Sequence, residues 1–468
     1  MTGVQTCALP ISGRDPDATL RLHNALVPRI EQAGLTERLQ LDLDILPYFE
    51  EMQDTGFIGV RSKFEALSAQ MWDKMMEVGS KISYRYNNGE PFNPASHPQV
   101  ARLAEGRNLK GAKKTKTGKI STSKKSMEHL RRVDEAMDLI FSWREHQKVK
   151  TSFADPLLDR LPDGADRDTI RCNIKLTRVA QDRIAAADPN YTGIPVATDL
   201  GRSIRDCFEA PEGCLLGSAD LSQIEMRVIA DLSNDPTMVR LFCDNRDIHA
   251  ETAAQLFHLR MEQIDKMRHR NPTKRAGFGV ATGIQGPGLL DQLRQMGCEG
   301  WSVKKYRDGS SDCVSDWCPE GVINGWFGVF PGVREFLEKC KQECAKHGYV
   351  RELGGFYRYL PGIWSRDDYV RGEAGRQSHS HIISGTAQTG LRRAMQWLGP
   401  RLEELRRETG LYIRWTMQIH DELIFGFAEE LEPVIKELVL EALRFHSLDL
   451  RVPVEASWEA DKSWGALK

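Results

Sequence analysis

Two short apolar segments, far apart in the chain, each deliver an aspartate at the end of a predicted strand. The first is CLLGSA, which precedes Asp220, and the second is RWTMQIHDELIFGF, which reads as two strands with Asp421 at the turn between them, 201 positions after Asp220. Short apolar runs of this kind predict buried β-strands, and polar side chains at strand ends are where sites of mixed α/β folds usually form. Two carboxylates that converge from rigid supports can hold a pair of divalent cations. The pattern therefore predicts a fold in which distant parts of the chain return to one sheet.

Each aspartate also has a simpler structural interpretation. After Asp220, Ser222 and Glu225 fit the S-x-x-E pattern of a helix capping box, in which Glu225 would serve only the helix start. Asp421 and Glu422 lie where two apolar strands meet at a tight turn, and a turn aspartate is commonly a turn former. Both interpretations remain open for the individual segments. Their convergence is a statement about the whole fold.

The composition describes an ordinary globular chain of several subdomains. Its 468 residues, of which 40% are hydrophobic and 28% charged, exceed what one core usually organises. There is no run of 18 apolar residues, which predicts no membrane span. Although the net charge is only −2, residues 107–132 contain ten Lys or Arg and one acid, Glu128. This segment suits a phosphate backbone, or alternatively forms a solvated charged loop.

The ten cysteines do not form an evident metal or disulfide pattern. Without a secretory signal, they predict reduced thiols in a cytoplasm. Cys298, Cys313 and Cys318 fall in a Gly/Ser-rich segment without a paired C-x-x-C or a nearby histidine. We therefore do not expect zinc there.

A third segment, RHRNPTKRAGFGVATG, places three side chains on one helix stripe. Arg270, Lys274 and Phe278 recur every four residues, so two cations and an aromatic ring face the same way. They could grip a triphosphate and stack on a base. The alternative is an amphipathic surface helix whose phenylalanine faces the core.

Together these strings resemble the motifs of family A DNA polymerases, over about residues 37–465. The string DLSQIEMR resembles motif A (D-x-S-Q-I-E-x-R) and QIHDE resembles motif C (Q-x-H-D-E). The resemblance implies the following roles: Asp220, Asp421 and the Leu221 carbonyl as metal ligands; Glu225 as the carboxylate that excludes a 2′-hydroxyl; Gln223 in nucleotide binding; Glu422 as an auxiliary carboxylate; His420 near the primer end; and Gln418 near DNA.

The helical stripe resembles motif B, R-x3-K-x3-[FY]-G-x2-Y-G. The resemblance implies that Arg270 and Lys274 hold the incoming phosphates, with Lys274 among the catalytic residues, and that Phe278 contacts the nucleotide. Two departures matter. Asn271-Pro272 predicts a cap and first helical residue, which would put Arg270 at or before the helix start, so that Arg268 could substitute for it. Thr282 stands at a DNA contact where the family usually has tyrosine, and a threonine is too short to stack at the template position.

Further segments extend the resemblance to residues expected on DNA. QDRIAAADPNYTGIP implies contacts of Arg183 and Asn190 with primer and template, although Thr192 and Gly193 replace family residues. WREHQKVKTSFADPL implies that Arg144 and Lys148 lie on the duplex backbone. In GEAGRQSHSHIISGTAQ, Ser384 replaces a glutamine expected to probe the minor groove.

The resemblance implies an α+β right-hand fold with a helical thumb, an antiparallel palm sheet and helical fingers. Residues 1–11 resemble a translated sequencing adapter and are expected to be an artefact. The expected division is 12–36 as a remnant of a 3′–5′ exonuclease domain, 37–165 as thumb, 166–240 as first part of the palm, 241–375 as fingers with a variable insertion at 290–325, and 376–468 as second part of the palm.

The expected function is template-directed addition of deoxynucleotides to a primer 3′-hydroxyl, with release of pyrophosphate. Two Mg²⁺ ions, for which Mn²⁺ could substitute, are the expected cofactors. Primer–template DNA and deoxynucleoside triphosphates are the expected partners, with replisome proteins as further candidates. We expect a monomer in the cytoplasm of a bacterium or a phage-infected cell, without proofreading. The alternatives are a single-subunit RNA polymerase, which Glu225 disfavours, and a catalytically inactive DNA-binding clamp.

Overall fold

The computed structural model describes residues 5–109, 112–115, 117–176, 178–195, 198–281, 283–284, 286–295, 303–305, 311–313 and 319–467. Within these residues, the α-helices are α1 (Gln5–Gln32), α2 (Thr36–Thr55), α3 (Arg61–Tyr86), α4 (His97–Gly106), α5 (Lys124–Leu130), α6 (Glu135–Val149), α7 (Asp155–Leu158), α8 (Asp199–Arg205), α9 (Ile224–Ser233), α10 (Pro236–Cys243), α11 (Ile248–Leu256), α12 (Asn271–Ala281), α13 (Gly286–Gln295), α14 (Pro319–Val329), α15 (Pro331–His347), α16 (Asp368–Thr409) and α17 (Glu432–Phe445).

The strands are β1 (Phe57–Val60), β2 (Arg167–Ile170), β3 (Asn173–Lys175), β4 (Ala185–Ala187), β5 (Phe208–Glu209), β6 (Cys214–Leu221), β7 (Val303–Lys305), β8 (Ser311–Cys313), β9 (Tyr349–Arg351), β10 (Tyr357–Tyr359), β11 (Ile413–Ile419), β12 (Glu422–Ala428) and β13 (Ala456–Asp461). None of the helices in the described ranges combines the length and apolar character that a membrane crossing requires.

A four-stranded antiparallel sheet forms the centre of the molecule. Its strand order is β11-β12-β6-β13, so the predicted strand CLLGSA lies beside a strand from the other half of the chain. CLLGSA thus pairs directly with β12, the strand that follows Asp421, whereas β11, the strand that precedes Asp421, lies on the far side of β12. β11 and β12 form the predicted hairpin, with Ile419 opposite Glu422.

Helices α2 and α16 pack against this sheet and against each other. Gly399 in α16 has no side chain, and a Cβ atom there would fall on the ring of Tyr48 in α2. Tyr48 in turn stacks on Trp415 of β11, with ring centroids 5.2 Å apart. The main core therefore contains α2, the beginning of the region that we expected to be thumb, together with the sheet.

A second core lies among α3, α4, α5 and α6. Its buried residues include Ile82, Val100, Met137 and Ile140. The apolar spacing of residues 127–152 predicts one long helix. The structure instead has two: α5 ends at Leu130, and α6 begins after Asp134, whose carboxylate caps it by accepting from the backbone N–H of Met137.

A third, smaller cluster lies among helices α12, α13 and α14, in the region expected to be fingers. Thr282, Cys298 and Cys318 lie outside the described residues, and the side chain of Cys313 is also outside them. The DNA contact expected at position 282 and the absence of zinc expected at the three cysteines therefore remain predictions. Helix α1 runs through both the predicted adapter segment and the predicted exonuclease remnant.

Candidate active site

The sheet brings Asp220 and Asp421 together at one end of its two central strands, β6 and β12. The register of β12 against β6 sets Glu422 opposite Asp220, and Asp421, the second residue of the two-residue turn, directly precedes Glu422. The backbone N–H of Leu221 donates to the carbonyl oxygen of Asp421 at 3.3 Å. The convergence expected from two distant segments is therefore present in the fold.

The electrostatics of Asp421 indicate a crowded anionic site. Burial first, and then the negative charges of Glu225 and Asp220, raise the pKa of the Asp421 carboxyl to about 6, against the opposing effect of Arg183. Carboxylates that repel one another at a shared point are suited to a divalent cation, because hard cations prefer oxygen ligands. Asp220 and Asp421, with the Leu221 carbonyl, fit this donor set. In the described part of the chain, no group of three or more His, Cys, Asp or Glu side chains forms a metal cluster.

A pair of buried glutamines supports Asp421. The side-chain amide of Gln388 in α16 donates to Asp421 Oδ1 at 3.0 Å, and its Oε1 accepts from Gln418 Nε2 at 3.0 Å. Gln418 also donates to the carbonyl of His420 at 3.2 Å. We did not predict a role for Gln388 from the sequence, where only Ser384 was singled out in this segment. Gln388 lies four residues after Ser384, one turn along α16, and this spacing could have indicated that both face the site.

The other two polar residues of the hairpin are arranged differently. The carboxylate of Glu422 accepts a hydrogen bond from the hydroxyl of Ser218 on the neighbouring strand. His420 takes a left-handed backbone conformation, with φ +55°, in the turn, and the residue is exposed. A non-glycine residue in this conformation costs free energy of order 1 kcal/mol, and such residues are frequent at functional sites.

The capping-box interpretation of Glu225 is wrong. Gln223, not Ser222, precedes the first residue of α9, with φ +54°, and no side chain caps the helix. The Ser222 carbonyl instead accepts from Arg227 Nε at 2.9 Å. Because the chain turns one residue later than the pattern suggested, Glu225 is directed across to other elements. Its Oε1 accepts hydrogen bonds from Arg183 Nη2 at 2.8 Å and from Ser384 Oγ at 2.7 Å.

Helix α12 carries the predicted stripe. Lys274 Nζ lies 5.8 Å from the centre of the Phe278 ring. Arg270 Nε donates to Asp247 Oδ2 at 2.7 Å, which orients the guanidinium beside the start of the helix. Desolvation first, and then the positive charges of Arg270 and Arg275, lower the pKa of Lys274. Such a cationic cluster is suited to a polyphosphate.

The start of α12 differs from the predicted cap. Asn271 has helical dihedral angles, φ −65° and ψ −43°, and continues directly from a π-helical turn, Lys266–Arg270. It is therefore not a cap, although Arg270 does precede the α-helix as expected. The N-terminal residue of the whole helical segment is Asp265, whose side chain accepts from the backbone N–H of Arg268 at 2.6 Å. Arg268 itself is exposed.

The residues expected on DNA are spread over the second core and the loops near the sheet. Arg144 donates to the carbonyls of Pro94 and Thr122, both at 2.8 Å, and its Nη2 is buried. This geometry favours a role in tying the second core together over a direct DNA contact. Lys148, one turn later, is exposed. Asn190 Oδ1 accepts from Thr192 Oγ1 at 2.6 Å, and Gln223 Oε1 is buried without a hydrogen-bond partner among the described residues.

Comparison with known proteins gives matches over most of the chain. The sequence profile of DNA polymerase family A matches residues 61–466. The thermostable DNA polymerase I of Thermus aquaticus is 35% identical over 419 residues, covering 89% of this chain and 47% of the relative. DNA polymerase I of Rhizobium leguminosarum is 32% identical over 463 residues (97% and 43%), and that of Bacillus subtilis is 30% identical over 457 residues (97% and 48%). The chain thus spans about half the length of the curated relatives it matches.

The fold is similar to that of a solved polymerase domain. The polymerase domain of Pol1 from M. smegmatis, in complex with DNA primer–template and dNTP, superposes with a TM-score of 0.83 at 27% identity, covering 96% of this chain and 74% of that one. The predicted α+β right-hand architecture is confirmed by this match. With a profile match over most of its length and a common fold, the chain belongs to DNA polymerase family A.

Proposed function

We propose that this chain is a template-directed DNA polymerase, which extends a primer 3′-hydroxyl with deoxynucleotides and releases pyrophosphate. The observation that carries the proposal is the pairing of β6 with β12, which sets Asp220 beside Asp421. Membership of family A and the likeness to a polymerase domain in complex with primer–template and dNTP support the DNA and nucleotide partners.

Asp220, Asp421 and the Leu221 carbonyl would hold two Mg²⁺ ions, with Mn²⁺ as a substitute. When bound, such ions make the primer hydroxyl a better nucleophile and stabilise the leaving pyrophosphate. The protein supplies two carboxylates fixed on neighbouring strands and supported by Gln388. In the reaction the primer 3′-oxygen forms a bond to the α-phosphorus, and the bond from that phosphorus to the bridging oxygen of the β-phosphate breaks. Glu422 is proposed to act as the auxiliary carboxylate.

The side chains around Asp220 and Asp421 are proposed to bind the nucleotide and the primer. We propose that Arg270 and Lys274 bind the triphosphate and that Phe278 lies beside the nucleotide. Glu225 would occupy the space of a 2′-hydroxyl and so favour deoxynucleotides. Arg183, which ion-pairs with Glu225, would contact the primer.

Proposed contacts with DNA extend beyond the carboxylate pair. We propose that His420 and Gln418, on the hairpin, act near the primer end, and that Asn190 and the exposed Lys148 contact the duplex. Gln223 is proposed at the nucleotide.

Primer extension with purified chain tests the proposal. We expect Mg²⁺-dependent extension with dNTPs, and loss of extension by several orders of magnitude in Asp220→Asn or Asp421→Asn, with DNA binding largely retained. Asp461→Asn is the matched control, because Asp461 lies in β13 of the same sheet, opposite Leu216 and away from Asp220. An Asp220→Asn variant that extends as well as the control would contradict the proposal.

The same assay separates the alternatives. Extension with rNTPs in preference to dNTPs would indicate an RNA polymerase, and DNA binding without extension would indicate an inactive clamp. A 3′-mismatched primer tests the prediction that the chain does not proofread. The monomeric state, contacts with replisome proteins, a phage origin and the cytoplasmic location remain predictions, and the bacterial relatives support the last of these.

A further inference from the structure

The carboxylate of Glu225 is held by two donors of different kinds. Arg183 Nη2 and Ser384 Oγ both donate to Oε1, at 2.8 and 2.7 Å. The Arg183 side chain is 32% exposed and comes from a loop, whereas Ser384 is 6% exposed and lies within the 42-residue helix α16. A long arginine can turn away through its several side-chain torsions, whereas a serine on a buried helix has a single side-chain torsion and its hydroxyl stays within a short distance of the backbone.

We propose that Ser384 is a positioning residue that keeps Glu225 in place for sugar selection. This inference rests on the function proposed above. If Arg183 turns to the primer when DNA is bound, its hydrogen bond to Glu225 is lost, and Ser384 is then the donor that stays. The family resemblance implies a glutamine at position 384 that probes the minor groove. In this chain Ser384 would instead hold Glu225.

The conformational freedom that Glu225 retains decides how well its carboxylate can exclude a 2′-hydroxyl. A glutamate side chain has three rotatable bonds, and a carboxylate without a fixed donor can rotate aside, leaving room for a 2′-hydroxyl. A hydrogen bond to a charged acceptor is among the stronger ones in proteins. Removing it should therefore raise the relative efficiency of ribonucleotide incorporation by about tenfold, at the lower end of what one such bond supports.

The test compares matched alanine variants of the full chain. The ratio of kcat/KM for a dNTP to that for the corresponding rNTP is measured with Mg²⁺ on one primer–template. Ser384→Ala is expected to lower this ratio about tenfold while extension with dNTPs stays within about threefold of the parent. Ser378→Ala is the control, because Ser378 is a fully buried serine of the same helix whose hydroxyl donates to the Gly375 carbonyl, at 2.8 Å. It should leave the ratio unchanged.

A double-variant cycle distinguishes positioning from a general loosening of the helix. In a Glu225→Ala background, Ser384→Ala should add nothing further to ribonucleotide incorporation, because the group that it positions is gone. Ser384→Thr retains a hydroxyl and should retain most of the parental ratio. These two readouts would not follow from a merely structural role of Ser384.

The outcomes separate this inference from the function on which it rests. Failure of the parent chain to extend with dNTPs would overturn the proposed function itself. Normal extension by Ser384→Ala with the parental sugar ratio would overturn only the positioning role. An equal additional loss of discrimination in the Glu225→Ala background would also overturn it, since Ser384 would then act elsewhere.

Discussion

The surroundings of Asp421 oppose the negative charge of its own carboxylate. Its pKa is raised to about 6 from an ordinary value of 3.8, chiefly by burial and then by Glu225 and Asp220. A carboxyl whose pKa is higher in the folded than in the unfolded chain is deprotonated at a cost to folding. This cost is absent below about pH 4, grows as the pH rises towards 6, and is fully present above that. The site therefore reduces the stability of the protein at neutral pH in the absence of a cation.

Asp421→Asn should consequently stabilise the protein while abolishing extension. With EDTA at pH 8, we expect the free energy of unfolding in urea to rise by about 1–2 kcal/mol, because a buried charge is removed without changing the shape. The gain should shrink below pH 6 and vanish near pH 4, where the parent carboxyl is protonated as well. Asp461→Asn, on the same sheet, should show no such pH-dependent gain. A constant gain at every pH would contradict the electrostatic explanation.

Gln388 offers a second prediction at the level of one side chain. Gln388→Leu preserves approximate volume but removes the donor to Asp421 and leaves the buried amide of Gln418 without that partner. We expect kcat for extension to fall by about tenfold or more and the Mg²⁺ concentration for half-maximal activity to rise. Gln396→Leu is the matched control, two turns along the same helix, where Gln396 donates to Asp44 on the surface at 2.6 Å. A Mg²⁺ dependence identical to the parent's would rule out the positioning of Asp421 by Gln388.

At the scale of single residues, the sequence indicated which carboxylates belong to the site but not which side chains donate hydrogen bonds to them. Asp220 and Asp421 were predictable because each follows an apolar run, and a local pattern suffices for that. The donors to Glu225 were not, because Arg183 and Ser384 come from segments distant in sequence, and their approach depends on how α16 lies against α9. The capping-box prediction for Ser222 and Glu225 was wrong because the S-x-x-E string does not by itself fix where the helix begins. In the structure α9 begins one residue later than the string suggests.

At the scale of elements, a buried ionic cluster joins α2 and α16 to the turn before Arg183. Arg38 of α2 and Arg392 of α16 both ion-pair with Asp182, at 2.8 and 3.0 Å, and all three side chains are 4% exposed. The backbone of Asp182 has φ +65°. Asparagine and aspartate tolerate this left-handed conformation better than most residues. The cluster thus fixes the turn from which Arg183 reaches Glu225.

Removing the shared acceptor should weaken this junction strongly. Asp182→Asn keeps the shape and the backbone tolerance but removes the buried carboxylate that Arg38 and Arg392 share, leaving each of them only the more exposed carboxylate of Asp42 at close range. We expect a loss of about 3 kcal/mol in the free energy of unfolding, measured by urea denaturation at pH 7. Glu77→Gln, which breaks an exposed ion pair with Lys81 on α3, should leave the unfolding curve unchanged. Equal effects of the two substitutions would show that the cluster is not tightly coupled.

The elements themselves were predictable to different degrees. The hairpin of β11 and β12 was predictable, because the period and the turn are local features of the chain. The break between α5 and α6 was not foreseen, since residues 131–134 contain no glycine or proline and the new helix begins at the Asp134 cap. The ionic cluster of Arg38, Asp182 and Arg392 could not be foreseen either, because nothing local pairs residues so far apart.

At the scale of the whole molecule, α3 links two hydrophobic cores. Phe64, Leu67 and Met71 in its first half are buried in the main core with the sheet, whereas Ile82 near its end is buried among α4, α5 and α6. Each core has its own apolar cluster. The second core can therefore lose stability without a direct change at the carboxylate pair.

Ile140→Ala tests this separation. We expect a cost of about 2–4 kcal/mol for a fully buried isoleucine, with faster amide hydrogen exchange confined to the end of α3 and to α4, α5 and α6. Strands β6 and β12 should keep their protection. Ile435→Ala, a fully buried isoleucine of the main core, should instead increase exchange in the sheet. Uniform loss of protection in both variants would mean that the two cores unfold as one unit.

Three side chains on successive turns of α16 each contact a different acidic residue. Ser384 donates a hydrogen bond to Glu225, Gln388 donates one to Asp421, and Arg392 ion-pairs with Asp182. Four residues make slightly more than one turn, so these side chains share a face. Inserting or deleting a single residue ahead of this run would rotate all three by about 100° relative to the segment before them. A substitution at one of these positions alters one contact, whereas a change in length would displace all three. Natural variation in chain length should therefore accumulate in the loops and leave this helix at a constant count.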